Sequence, residues 1–163
     1  MKILFITLEY PPQKGGVASY YGGLVEELRR QGYEVNVVTN GLTTRWFWPW
    51  WLIGYFTTRA AIKKRKPDLL FVGHMLPLGT IAYLLRRRVP YAVFTHGMDV
   101  MLTQKSWRKQ WLAKKIFMHA KLIVANSEFT KNIIEKEWLQ KLTIVNNRNR
   151  IIVVYPCPNV VAE

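Results

Sequence analysis

Short apolar runs alternate with stretches of helical periodicity along nearly the whole chain, and few folds accept that rhythm. Lys2 to Leu8 reads as a buried strand, ended by Tyr10-Pro11-Pro12 because proline cannot continue a ladder. Val17, Tyr21, Leu24, Val25 and Leu28 then recur at helical spacing up to Gly32, a C-terminal stop. Further strands are predicted over 35–39, 69–73, 91–95, 122–125 and 151–155. Helices are predicted over 52–66, 78–87, 106–119 and 128–139, and Val145 to Arg150 reads as a polar loop. Runs such as Leu69-Leu70-Phe71-Val72 are apolar on both faces, as in a parallel sheet covered by helices on both sides. The predicted fold is α/β, a doubly wound, Rossmann-like parallel sheet. The 163 residues fit one domain, 1–163.

The polar and glycine residues fall where such a fold puts ligands. Lys14-Gly15-Gly16, Gly73-His74, Thr95-His96-Gly97-Met98-Asp99 and Asn126-Ser127-Glu128 each follow an apolar run. Loops at the carboxyl ends of parallel strands line one crevice, so these four pieces should converge there. Gly15 and Gly16 precede a helix, whose free N–H groups can hold a phosphate or sugar; the blander reading is a plain strand-to-helix turn. They form neither a dinucleotide fingerprint nor a Walker loop. His96 can bond a substrate hydroxyl or act as a general base, with Gly97 letting the backbone turn under a ligand and Asp99 accepting hydrogen bonds. The alternative is a histidine that braces its loop. His74 has the same placement with less around it. Ser127 suits an N-cap, compatible with a polar lip of the crevice that includes Glu128. His119, at a helix end, reads as structural. Three scattered histidines and one cysteine give no zinc pattern, so no metal is expected. Neither a nucleophilic triad nor a glycosidase carboxylate pair is evident.

Charge and cysteine content bear on partners and compartment. Lys and Arg number 24 against 10 Asp and Glu, a net charge of +14. Such a surplus implies an anionic partner: nucleic acid, acidic lipid or a phosphorylated ligand. The basic residues are dispersed and no RNA- or DNA-binding signature is present, so nucleic acid is not favoured. A non-catalytic basic binding module for a polyanion remains the alternative from a different class. The lone Cys157 suits a reducing compartment. The apolar run after Lys2 is too short for a signal peptide, and no stretch reaches membrane-spanning length, so a cytoplasmic location is expected.

The segment from Gly41 to Gly54 breaks the alternation. Trp46, Trp48, Trp50 and Trp51 are four of the seven tryptophans, with Phe47 and Pro49 among them. Tryptophan favours the membrane interface, and the following helix ends in Lys63-Lys64-Arg65-Lys66. Aromatic insertion with basic attraction is the two-signal arrangement of peripheral binding to an anionic surface. The competing reading is a hydrophobic plug on the sheet edge or on another domain.

Taken in order, Tyr10-Pro11-Pro12 with Gly15-Gly16, the run from Leu24 through Gly32 to Thr39, Thr95-His96-Gly97-Met98-Asp99, Ala125 to Thr130, and Ile151 to Pro156 resemble the amino-terminal domain of a GT-B glycosyltransferase of family 4. The resemblance spans nearly the whole chain. It implies transfer of a hexosyl-type sugar from a nucleotide-sugar, without a metal or cofactor and with retention, to a glycan or lipid-linked acceptor. It also implies a facing carboxyl-terminal domain that holds the donor. By position, Gly15 and Gly16 match glycines that approach the donor diphosphate or the acceptor. His96 matches the family histidine that contacts the transferring sugar, and Asp99 and Ser127 line the cleft. The sequence departs from the family after Pro156, where Cys157-Pro158-Asn159 stands in place of a common Asn-Gly pair. Without a donor-binding half, the chain alone is expected to be inactive. In the complete enzyme a peripheral seat on the inner face of the membrane is expected.

Overall fold

The computed structural model describes residues 1–43, 49, 51–104, 106–136 and 151–156. Trp46, Phe47, Trp48, Trp50, the 145–150 loop, Cys157 and the end of the predicted 128–139 helix lie outside them. The described elements are β1 (Lys2–Ile6), α1 (Gly16–Arg30), β2 (Glu34–Val38), α2 (Leu52–Arg65), β3 (Leu69–Val72), α3 (Leu78–Leu85), β4 (Tyr91–Thr95), α4 (Gly97–Gln104), α5 (Trp107–His119), β5 (Leu122–Ala125), α6 (Glu128–Ile134) and β6 (Ile151–Val153). The strands form one parallel sheet in the order β2-β1-β3-β4-β5-β6, which is the expected doubly wound architecture.

Alternation along β1 shows why both faces are apolar. Ile3 and Phe5 join Tyr20, Tyr21 and Val25 of α1 in one core layer. Leu4 and Ile6 join Ile62 of α2, Leu78 and Ile81 of α3, and Ile116 and Phe117 of α5 in the other. The chain moves one way across the sheet from β1 to β2 and the other way from β2 to β3 onward. Among the described helices, right-handed crossovers therefore put α1 on one face and α2, α3 and α5 on the other. The helices that link successive parallel strands run back across the sheet, so the N-termini of α1, α2, α3 and α6 gather at its carboxyl edge.

One element is a correction. The sequence reading leaves residues between Thr95 and Ser106 as a loop, yet Gly97–Gln104 is the helix α4. The segment lacks a clear apolar stripe, because Met98, Met101 and Leu102 face solvent while Val100 and Thr103 are buried. Gly97 thus opens a helix instead of only turning a loop. Its absent side chain is useful there, since a Cβ would lie 3.3 Å from Thr130 Oγ1. Several expected strand and helix ends are also shorter, β1 stopping at Ile6 and β6 at Val153.

Gly73 follows β3 where α1 approaches closely. A Cβ on it would lie 2.6 Å from Thr7 Oγ1 and 3.0 Å from the Tyr21 ring. Gly16, by contrast, has nothing within 4 Å of a built Cβ and does not carry a positive φ, so the fold does not require glycine there. Gly73→Ala should lower stability by about 1–3 kcal/mol through overpacking. Gly16→Ala should leave it unchanged or raise it by about 0.5–1 kcal/mol. Urea unfolding of the two variants checks the contrast.

Candidate active site

The order of strands creates the site. β1 has β2 on one side and β3 on the other, so the loops leaving β1 and β3 diverge and open a crevice at their carboxyl ends. Thr7 shapes the first loop: its hydroxyl donates to the Glu9 carbonyl at 3.0 Å and accepts from the Glu9 N–H at 3.3 Å. That turn brings the half-exposed Glu9 carboxylate to 3.5 Å from His74 Nε2, at the end of β3. Gly15, at the N-cap of α1, lies beside the same carboxylate.

Tyr21, on the first turns of α1, reaches across this crevice. Its hydroxyl bonds to the Gly73 carbonyl and lies 2.8 Å from His96 Nε2. A carbonyl can only accept, so the single phenolic proton goes to Gly73. The oxygen must then accept from His96, which puts the ring proton on Nε2. Asn126 Nδ2, 3.3 Å away, donates to the remaining Nδ1. The rest of the chain agrees in direction. Asn126 Oδ1 accepts from the Thr130 hydroxyl at 2.8 Å, and Thr130 Oγ1 lies 3.0 Å from the Ser127 hydroxyl. Ser127 Oγ in turn accepts from the Thr130 N–H at 3.2 Å, capping α6. Hydrogen bonds thus run from Ser127 through Thr130, Asn126, His96 and Tyr21 to Gly73, and they fit a neutral imidazole of one tautomer.

Electrostatics favours the same state. Burial lowers the His96 pKa below its ordinary value, although nearby Asp99 works against it. Burial raises the Asp99 pKa, opposed by His74 and His96 and by the Met75 N–H that bonds its carboxylate. The other carboxylate oxygen of Asp99 and Nδ1 of His74 are buried without a hydrogen-bond partner among the described residues. The His74 and His96 rings lie 6.2 Å apart. Burial, with Tyr20, Asp99 and Glu9 nearby, holds the Tyr21 hydroxyl protonated well above its usual range.

The structure therefore gathers His96, Asp99, His74 and Gly15 at one end of the sheet, with exposed Gly16 at the start of α1. Ser127 belongs to the network, its hydroxyl spent on Thr130. Glu128 stands apart, exposed and paired with Lys131 at 3.4 Å. Glu9, Tyr21 and Thr130 are site residues that the motifs do not mark, and Asn126, which falls within one of them, gains its contact to His96 only in the fold. A tyrosine within an apolar helical stripe was the available signal for Tyr21, since its buried hydroxyl requires a partner. His119 caps the end of α5 against the Lys115 carbonyl at 2.9 Å, as a structural histidine should. Of the aromatic segment, Trp51 is half-buried and packs on the core, which suits the plug reading for that ring; Lys63 to Lys66 are exposed. No group of three metal-ligating side chains converges among the described residues.

Tyr21→Phe should cost about 1–3 kcal/mol, because it strands the Gly73 carbonyl and the His96 Nε2–H; denaturant unfolding measures it. The depressed His96 pKa gives a second expectation. The unfolded chain binds the proton more readily, so the contribution of His96 is complete above its ordinary pKa of 6.5 and is lost as pH falls below it. The gap in Tm between the native chain and His96→Gln should narrow from about pH 7.5 to about pH 5.

Comparisons with known proteins bear on the family and the fold. The model of Glycosyltransferase Family 4 matches residues 14–155. A stretch of 42 residues is 52% identical to an uncharacterized glycosyltransferase of Methanocaldococcus jannaschii, covering 25% of this chain and 11% of that protein. Anabaena HepE, solved in complex with UDP-glucose, superposes with a TM-score of 0.55 at 16% identity, over 96% of this chain and 44% of its own. An alpha-glucosyltransferase solved with UDP and a 13-mer DNA containing an HMU base gives 0.53 at 13% identity, over 96% and 42%. At such identity the two structures show a shared fold, and this chain spans less than half the length of each. The family match itself covers most of the sequence, from the loop before α1 to the residues after β6: this chain belongs to Glycosyltransferase Family 4.

Proposed function

We propose that this domain is the acceptor-side half of a metal-independent, retaining hexosyltransferase that moves a sugar from a nucleotide-sugar to a glycan or lipid-linked acceptor. The observation that carries the reading is His96, which follows β4 and is held at both ring nitrogens by Tyr21 and Asn126, with Asp99, His74 and Glu9 gathered at the same edge of the sheet. The Asn126 contact to His96 Nδ1, at 3.3 Å, is longer than the Tyr21 contact, at 2.8 Å. It is the one a sugar hydroxyl replaces, donating to the Nδ1 lone pair. His96 then orients the sugar while Tyr21 keeps the ring from turning. The N-terminus of α1, with Gly15 and Gly16 exposed, offers free N–H groups and a partial positive charge to the donor diphosphate. A facing carboxyl-terminal domain supplies the rest of the donor site. HepE and the alpha-glucosyltransferase, each solved with UDP or a UDP-sugar, support a nucleotide-sugar as the donor.

The proposal extends to where the enzyme works. The segment Trp46 to Trp51 and the basic end of α2, Lys63 to Lys66, fit a peripheral seat on an anionic membrane at its cytoplasmic face. Among the described residues no helix is long and apolar enough to cross a membrane.

Sugar transfer from a panel of nucleotide-sugars tests the function. With the donor-binding half joined to it the domain should turn over, and alone it should not, because catalysis needs donor and acceptor in one geometry. In the complete enzyme His96→Ala should lower kcat by on the order of 10²–10³ while protein stability changes far less. Unchanged kcat/KM in that variant would assign His96 to bracing its loop alone.

A further inference from the structure

The outward surface of α4 and α5 is a feature that the sequence motifs did not single out. Met98, Met101 and Leu102 of α4 and Trp107 and Trp111 of α5 are all exposed, Trp107 by 73% and Met98 by 74%. They lie at the carboxyl edge of the sheet, between His96 and the second turn of α5. α5 shows why they cannot turn inward. Its Ala113, Ile116 and Phe117 already fill the core face, and Trp107, Trp111 and Lys114 follow one another at i, i+4 and i+7 on the other side. Large exposed apolar residues on consecutive helices mark a surface that another phase or molecule covers.

Charge identifies the occupant. α5 contains no acidic residue, and Asp99, the one acid of α4, is drawn into the site cluster. Arg108 lies over the Trp107 ring at 5.4 Å and Lys115 over the Trp111 ring at 5.7 Å. Each pair joins an apolar plane to a cation that can stay at a polar boundary. A second copy of a chain with net charge +14 is repelled from such a face. A bilayer with anionic headgroups supplies both complements at once, apolar depth for the rings and negative charge for the cations.

We infer that the α4–α5 face docks on an anionic lipid bilayer and holds the mouth of the crevice, beside His96, at the membrane surface. The inference rests on the proposed transferase only for what it does there, namely meet a lipid-linked acceptor; the docking stands without it. Trp51 packs on the core and so has a structural task, whereas Trp107 and Trp111 are exposed.

Co-sedimentation with vesicles, with no sugar donor present, tests it. The 163-residue chain should bind phosphatidylcholine–phosphatidylglycerol vesicles at about 7:3, bind phosphatidylcholine alone weakly, and be released by salt. Trp107→Ser with Trp111→Ser should lower the partition coefficient by roughly tenfold or more. Arg108→Gln with Lys115→Gln should lower it about fivefold for each charge, and only with the anionic vesicles. Far-UV circular dichroism confirms that these exposed substitutions keep the fold. Full binding by the Trp107/Trp111 variant overturns the inference. So does loss of binding confined to a Trp46, Trp48, Trp50, Trp51→Ser variant, or a self-association that the double variant abolishes. Transfer by the complete enzyme to a soluble glycan is scored separately. Its absence counts against the proposed function and leaves the docking result unaffected.

Discussion

A single phenolic oxygen ties the site together. Tyr21 is buried on α1, and its hydroxyl joins the carbonyl that ends β3 to the imidazole that follows β4. Because the carbonyl takes the only proton, the direction of the hydrogen bond to His96 is set, and with it the tautomer of the ring. Asn126 and Thr130 continue the same polarity from beyond β5. The bond depends on close approach of α1 to the end of β3, which a side chain on Gly73 would prevent. Packing and chemistry therefore share one constraint: the glycine that lets α1 sit down on the sheet also lets the histidine be held neutral.

Around that bond, burial works on acid and base in opposite senses. It disfavours the charged form of each, lowering the pKa of His96 and raising that of Asp99, while their mutual attraction resists both shifts. Glu9 adds a solvent-facing carboxylate beside His74. Such a cluster suits the recognition of hydroxyl groups, which both donate and accept, better than capture of a bare anion. Helix N-termini, whose free N–H groups suit an anion, are brought to the same edge by the parallel topology. A sugar diphosphate presents both kinds of group.

The surface follows from the topology as well. Among the described helices, the reversal of direction after β2 leaves α1 on one face and stacks α2, α3 and α5 on the other. The basic ends Lys63 to Lys66 and Arg86 to Arg88 fall at the edge opposite the site, while Trp107 and Trp111 fall near it. The positive charge is thus spread over both edges of the sheet, while Trp107 and Trp111 are exposed together on one helix near the site.

The sequence by itself determined the doubly wound sheet. Apolar runs of strand length between helical stretches permit little else, and β4 and β5 fall at the expected residues. It also placed His96, His74 and Asp99 at the carboxyl edge, because residues that follow strands in such a sheet must lie there. What it left undetermined is of a different kind. Tyr21 reads as one more apolar position of a helix, and Glu9 as the end of a strand, since nothing local records a partner seventy-five residues away in the one case or a crossing loop in the other. α4 escaped notice because its outward residues are as apolar as its inward ones, which erases the periodic signal. The state of His96 was also a tertiary matter. A ring proton is assigned by the groups that surround both nitrogens, and those groups come from α1 and the end of β5, brought together only when the sheet closes between them.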